Sequence, residues 1–394
     1  MNRWKITAGY LAGLLPLLAM ARLLTACGSP SSAAPQAPGA DAAAPPGSSP
    51  SAVGAPADGG LADEASSGAQ GAAIGDSGGA QDGSAVATHA AGGALTGAEG
   101  GPVAARPSAG CADAGAPAST GSVNLAFEST ARSYLLHLPA TATKGPIPLV
   151  INLHMYGGSG AVQESLTGMD TVADSEGFIV TYPNGLGDPT DWNAGSCCSA
   201  ASEGNRDDVG FIAAVVDDVA AHACVDLARV YVAGFSNGGM MTVRLACQMA
   251  DTFAAAATVS GTAAIPLDTC QPSRPIAFLH VHGNADPLVP YDGGSGGLAI
   301  SGEPTPVFPA VAQEIATMRG EDNCPAASDV YFDQGNASCT QFSPCGSESE
   351  VIFCTISGGG HAWPTSGTPT SEYAEMSAFD ATTQIWRFFN RHAL

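Results

Sequence analysis

Beyond residue 110 the chain falls into short apolar runs separated by segments with helical spacing. Residues 133–138 read as an early strand, and 148–153 as a buried one. A helical stretch over 162–175 leads to an apolar strand at 178–182. The alternation then repeats, with a helix over 207–224 before a strand at 229–233, and a helix over 240–253 before strands at 255–259 and 276–281. A helix over 311–319, a strand at 351–356 and a helix over 381–391 complete the series. Near-continuous apolar strands interleaved with helices predict one α/β domain over 111–394. Its central sheet is expected to be mostly parallel, with helices on both faces.

The first 110 residues follow neither pattern. Arg3 and Lys5 precede an apolar run from about residue 6 to residue 24, followed by Leu24-Thr25-Ala26-Cys27. A basic head, an apolar stretch and small residues before a cut describe a secretory signal over 1–27. With Cys at the cut it resembles a bacterial lipoprotein signal, in which Cys27 is acylated and anchors the chain to a membrane. An ordinary signal peptide and a single membrane span are the other readings. Pro16 and the short apolar core oppose the span, because crossing needs about 20 apolar residues.

Residues 28–110 are almost entirely Ala, Gly, Ser and Pro, without Phe, Tyr, Trp or Met, and Arg106 is their only Lys or Arg. Such a segment lacks the apolar surface to offset the entropy of ordering, so a disordered tether is expected. Its r.m.s. reach would be on the order of 50 Å.

Composition narrows the function. The 394 residues carry 13 Lys and Arg against 36 Asp and Glu, a formal net charge of -23. This excludes nucleic acid as a partner, since phosphate binding needs clustered cations. Eleven Cys fit an exported protein better than a reducing cytosol. The eight His and the carboxylates show neither HExxH nor comparable ligand spacing, and no phosphate or dinucleotide glycine signature occurs. Neither a metal nor a cofactor is expected.

Candidate chemistry concentrates in three motifs. Gly234-Phe235-Ser236-Asn237-Gly238 lies between an apolar strand and a helical pattern. In that context the glycines allow a strand-to-helix turn sharp enough to present the Ser236 hydroxyl at the helix N-terminus. His280-Val281-His282-Gly283-Asn284-Ala285-Asp286 closes another strand and offers Asp286 as the acid, with Asp292 as the alternative. Gly358-Gly359-Gly360-His361-Ala362-Trp363 follows the strand at 351–356, and its flexible glycines would let His361 swing over the nucleophile. The order Ser236, Asp286, His361 matches α/β hydrolases and neither familiar serine-protease order. The oxyanion would be held by the amide of Asn237 and by that of Tyr156 or Met155, in the turn after the strand at 148–153.

These motifs, together with Leu153-His154, Val289-Pro290-Tyr291, Asp191-Trp192-Asn193, Cys197-Cys198 and Asp207 to Phe211, resemble the secreted carbohydrate esterases of family 1. That family includes feruloyl and acetylxylan esterases and their poly(3-hydroxybutyrate)-depolymerase-type relatives. The resemblance covers essentially all of 111–394, and departs at Met155, where relatives usually carry Gly. It implies an α/β-hydrolase fold and ester hydrolysis without a cofactor. It also suggests disulfides between Cys247 and Cys270, between one of the vicinal pair Cys197-Cys198 and Cys224, and among Cys324, Cys339, Cys345 and Cys354.

Hydroxycinnamoyl or acetyl esters of plant polysaccharide are the first substrate expectation, and short polyesters the second. A non-catalytic polysaccharide-binding lipoprotein is the reading from another class. Its mark would be a damaged triad, whereas all three members are present here. Trp192, His154 and Trp363 are the candidate substrate-binding residues. For Trp192 two readings stand, a surface that stacks on a sugar or hydroxycinnamoyl ring and a buried loop anchor. For Trp363 the favoured role is packing that fixes the histidine loop.

Overall fold

A computed structural model describes residues 104–112, 118–142, 145–198, 206–297, 305–369 and 371–394. The expected signal, its Cys27 and the linker as far as residue 103 lie outside these residues. The apolar runs form a ten-stranded sheet. Its strands are β1 (Gly121–Phe127), β2 (Thr130–His137), β3 (Ile147–Leu153), β4 (Ile179–Pro183) and β5 (Val225–Phe235). They continue with β6 (Ala255–Val259), β7 (Ala277–Gly283), β8 (Asp329–Gln334), β9 (Ala337–Phe342) and β10 (Val351–Ile356). The spatial order is β1-β2-β4-β3-β5-β6-β7-β10-β9-β8. The six strands from β4 to β10 in that order pair in parallel. An antiparallel hairpin is added at each edge.

Strand periodicity sorts the core into two layers. Leu149, Ile151 and Leu153 of β3 and Val230 and Val232 of β5 face one layer. That layer is covered by the helices α3 (Asp208–His222), α4 (Asn237–Gln248) and α5 (Val311–Glu321). Val150 and the alternate residues Tyr231, Ala233 and Phe235 face the other, against α2 (Met169–Glu176) and α6 (Ala381–Phe389). The sheet is thus mostly parallel with helices on both faces, an α/β-hydrolase-type architecture. Among the described residues no helix is long and apolar enough to cross a membrane.

Three local features depart from the sequence reading. The helix expected over 162–175 is two helices, α1 (Gly160–Thr167) and α2, because Gly168 takes the left-handed conformation between them (φ 56°). The strands β1, β8 and β9 carry polar, partly exposed sequences with no continuous apolar run to announce them. The ordered chain also joins the domain before Cys111. The Arg106 amide donates to Asp226 (2.8 Å), Pro107 forms an isolated bridge to Asp226, and the Ser108 hydroxyl donates to the Ala223 carbonyl (2.9 Å).

Candidate active site

The carboxyl ends of β5, β7 and β10 bring three loops to one edge of the sheet, where α/β folds place their ligands. Ser236 directly follows β5 with φ 56° and ψ -120°, a left-handed backbone uncommon for a residue with a side chain. Glycines make the turn possible. A Cβ on Gly234 would lie 2.2 Å from the Gly238 carbonyl, and one on Gly238 would lie 2.3 Å from the Leu153 carbonyl. The same close approach sets the turn after β3, with Met155 and Tyr156, beside the N-terminus of α4.

His361 Nε2 stands 2.8 Å from Ser236 Oγ, and its Nδ1 stands 2.7 Å from Asp286 Oδ2. The other oxygen, Oδ1, accepts from the amides of Leu288 (2.8 Å) and Val289 (2.9 Å). Burial by itself would raise the Asp286 carboxyl, but hydrogen bonds from His282 and His361, with the charge those rings can carry, hold it well below the ordinary carboxylate range. Asp292, the alternative acid, is exposed, and the Nδ1 of His361 is taken by Asp286. An Nδ1–H donated to ionised Asp286 leaves the His361 Nε2 lone pair facing the serine hydroxyl. This arrangement can deprotonate an attacking hydroxyl.

The histidine loop is braced against the acid loop instead of swinging freely. The Asn284 amide donates to the Ile356 carbonyl (3.1 Å), the Ala285 amide to the Gly359 carbonyl (2.9 Å), and the Gly358 amide to Asn284 Oδ1 (2.7 Å). The Gly360 amide donates to Glu375 (2.9 Å). Burial, with Asp286 nearby, raises that carboxyl above its usual value despite the Gly360 bond. The ring of Phe235 lies under His361 at 5.1 Å.

All three candidate substrate-binding residues are buried. Trp192 is fully buried, with Nε1 donating to the His154 carbonyl (2.9 Å) and its own amide donating to Asn237 Oδ1 (2.8 Å). It is a loop anchor and offers no face to a sugar or an aryl ring. His154 is equally buried. Its Nδ1–H donates to the Met155 carbonyl (2.7 Å), and its Nε2 accepts from the Gly185 amide (2.9 Å). Burial pushes it down to about 4, so the ring is neutral and both nitrogens are committed. Trp363 is buried as well and donates to Thr382 (3.0 Å), which ties the histidine loop to α6.

The cysteine pairing also differs from expectation. Cys197 and Cys198 are bonded to each other, and Cys224 pairs with Cys111. Cys247 pairs with Cys270 as anticipated, and the last four pair as Cys324–Cys345 and Cys339–Cys354. The vicinal pair sits under Asn237, whose amide nitrogen reaches the carbonyls of Trp192 (3.2 Å) and Cys197 (3.4 Å). The Asn237 side chain therefore faces the buried loop, and its backbone amide is the part left for an oxyanion.

A family model described as Esterase PHB depolymerase matches residues 132–268, which include Ser236 but neither Asp286 nor His361. A Nocardia uniformis subsp. tsuyamanensis protein named as an esterase, NocK, is 33% identical over 264 residues, covering 63% of this chain and 75% of that one. An Aspergillus flavus protein named as a feruloyl esterase C is 30% identical over 276 residues, covering 68% of this chain and 87% of its own length. The chain belongs to the PHB depolymerase-type esterases.

Feruloyl esterase B of Piromyces equi is 36% identical over 222 residues, 55% of this esterase, which spans 39% of the Piromyces protein. The solved acetyl xylan esterase from Aspergillus awamori is 16% identical, with a TM-score of 0.45, and the match covers 68% of this chain and 99% of that one.

Two groups around the esterase site escaped the sequence reading. His280 and His282 were visible in the acid motif, and their spacing of two puts both rings on one face of a strand. Glu314 lies in the register of Val311, Ile315 and Met318, an acid on the apolar stripe of a helix. A carboxylate there signals a buried partner.

Proposed function

We propose that this protein is an exported serine esterase in which Ser236 is the nucleophile, His361 the general base and acid, and Asp286 the residue that orients His361. The reading rests on the hydrogen-bonded line from Ser236 Oγ through His361 to Asp286, at the N-terminus of α4. As Oγ adds to an ester carbonyl, Nε2 of His361 takes the hydroxyl proton, and Asp286 stabilises the imidazolium that forms. The amide of Asn237, with one from the Met155–Tyr156 turn, binds the oxyanion; the first-turn amides of a helix are free to do so. The imidazolium then protonates the leaving alkoxide, and water repeats the sequence to free the acid. Each step moves a proton between Ser236, His361 and the substrate, so no cofactor is required.

The substrate class proposed first is the hydroxycinnamoyl or acetyl ester of plant polysaccharide, supported by the names of the feruloyl esterase relatives. The description of the matching family model favours polyester as the second reading. Methyl ferulate, feruloylated arabinoxylan, acetylated xylan and a polyhydroxybutyrate film, assayed side by side, separate the two. Release of ferulate or acetate with an intact film is the expected result. Clearing of the film without release from either xylan would reverse the ranking.

Export is supported by the five disulfides among the described residues, which persist in oxidising compartments. Acylation at Cys27 is the finer proposal. The intact mass of the mature chain tests it, and an unmodified N-terminus downstream of Cys27 would exclude it.

A further inference from the structure

Beside Asp286, three titratable groups that the proposed mechanism does not use form a buried line. Glu314 Oε1 of α5 lies 2.7 Å from His280 Nδ1, His280 Nε2 lies 2.9 Å from His282 Nδ1, and His282 Nε2 lies 2.9 Å from the Val289 carbonyl. The same Nε2 is 3.4 Å from Asp286 Oδ2. All three side chains are fully buried, and the two imidazoles stack at 5.2 Å between centroids. The remaining Glu314 oxygen accepts from the Ala263 amide. Tyr291 is the other titratable side chain facing His282, its ring 6.1 Å away and its hydroxyl 2.7 Å from Thr355 of β10.

Counting hydrogens fixes the state of this line. Three contacts need three hydrogens, and a carbonyl such as that of Val289 can only accept. Two neutral imidazoles supply two. The third must reside on the Glu314 carboxyl or make one ring cationic, and both arrangements leave the three groups with zero net charge. In every such arrangement His282 Nε2 carries a hydrogen; its Nδ1 accepts one from His280 unless His282 is itself the cation. Were Glu314 ionised beside two neutral rings, one contact would set a lone pair against another acceptor, which burial makes costly.

We propose that Glu314, His280 and His282 form a buried, net-neutral string of three shared protons. It locks His282 as an Nε2–H donor toward Asp286 and the Val289 carbonyl, and so makes His282 a positioning residue for the acid of the triad. His282 acts at two points. It supplies positive potential to the Asp286 oxygen that binds His361, and it holds the turn whose Leu288 and Val289 amides grip the other oxygen. The proposal rests on the serine-esterase reading above, in that Asp286 must be the orienting acid.

Nuclear magnetic resonance of the full chain with 15N-labelled histidine tests the string without reference to turnover. The expected result is that His282 Nε2 stays protonated from about pH 6 to pH 8. A bare Nε2, or fast exchange between the two ring forms, would overturn the proposal. In kinetics, His282→Leu should lower kcat roughly 10- to 100-fold, the usual loss when an orienting partner of a functional group is removed. KM should stay within about threefold, and His282→Gln, which keeps a side-chain N–H, should recover most of kcat. A raised KM with unchanged kcat, or a folded Gln variant no better than Leu, would exclude the positioning role. If the Leu variant does not fold, the ring-nitrogen assignment of the unaltered chain still decides. Failure of the esterase reading itself would show separately, as turnover that survives Ser236→Ala.

Discussion

The rim of the site and the floor beneath it are built on opposite principles. At the rim, Ser236 keeps a left-handed backbone conformation, His361 sits on a glycine loop, and both reach the reacting edge of the sheet. The floor is buried and densely hydrogen-bonded. Trp192, His154 and the Asn237 side chain are buried with their polar atoms paired to one another's loops, and Asp208 accepts from both Arg132 and the Asn193 amide (2.8 Å each). Asn237 straddles the two, with its side chain in the floor and its amide at the rim. A chemical edge has to leave a lone pair, a hydroxyl and an amide available to substrate, and each is a group that packing alone would satisfy or exclude. The floor holds those groups still through the paired polar atoms of Trp192, His154, Asn237 and Asp208.

This contrast predicts that rim and floor variants fail in different measurements. The largest expected effect is at the rim. Ser236→Ala should cost about 10⁶-fold in kcat on p-nitrophenyl acetate, the scale of loss when a triad serine is removed. Its unfolding free energy should stay within about 1 kcal/mol of the unaltered protein. A variant that retained one tenth of the activity would refute the assignment of the nucleophile. Next comes the floor. Trp192→Ala empties a fully buried site and should destabilise by about 3–5 kcal/mol in denaturant unfolding. Whatever remains folded should keep a KM near that of the parent, because the ring touches no substrate. A large KM increase at unchanged stability would return Trp192 to the substrate-binding role.

The smallest effect comes from pH. Burial lowers His154 to about 4, against an ordinary imidazole value near 6.5. Between those two values the unfolded chain binds a proton that the folded chain does not, so stability falls as pH drops. From pH 7 to pH 5.5 this amounts to about 1 kcal/mol, and His154→Gln should flatten that slope. Equal slopes for the two proteins would mean that the ring is not held neutral.

Legibility followed burial and locality. The six central strands are covered on both faces, so their near-continuous apolar runs stand out. The edge strands β1, β8 and β9 mix polar and apolar residues and lean on neighbours that no local pattern names. Likewise the turn around Ser236 is a local object, written in consecutive glycines. The burial of Trp192 is not, because it depends on Asn237 45 positions later and on the His154 carbonyl 38 positions earlier.

The amino-acid sequence by itself determined the kinds of groups available and the order in which the chain meets them: a hydroxyl on a glycine turn, an acid and a histidine after later strands, and enough apolar periodicity to build the sheet that carries them. The tertiary structure alone decided which aspartate faces His361, which cysteines pair, and that the aromatic candidates are buried. Those outcomes depend on distances between segments far apart in the chain. A residue type states what bonds it can make, and packing selects which of them are made.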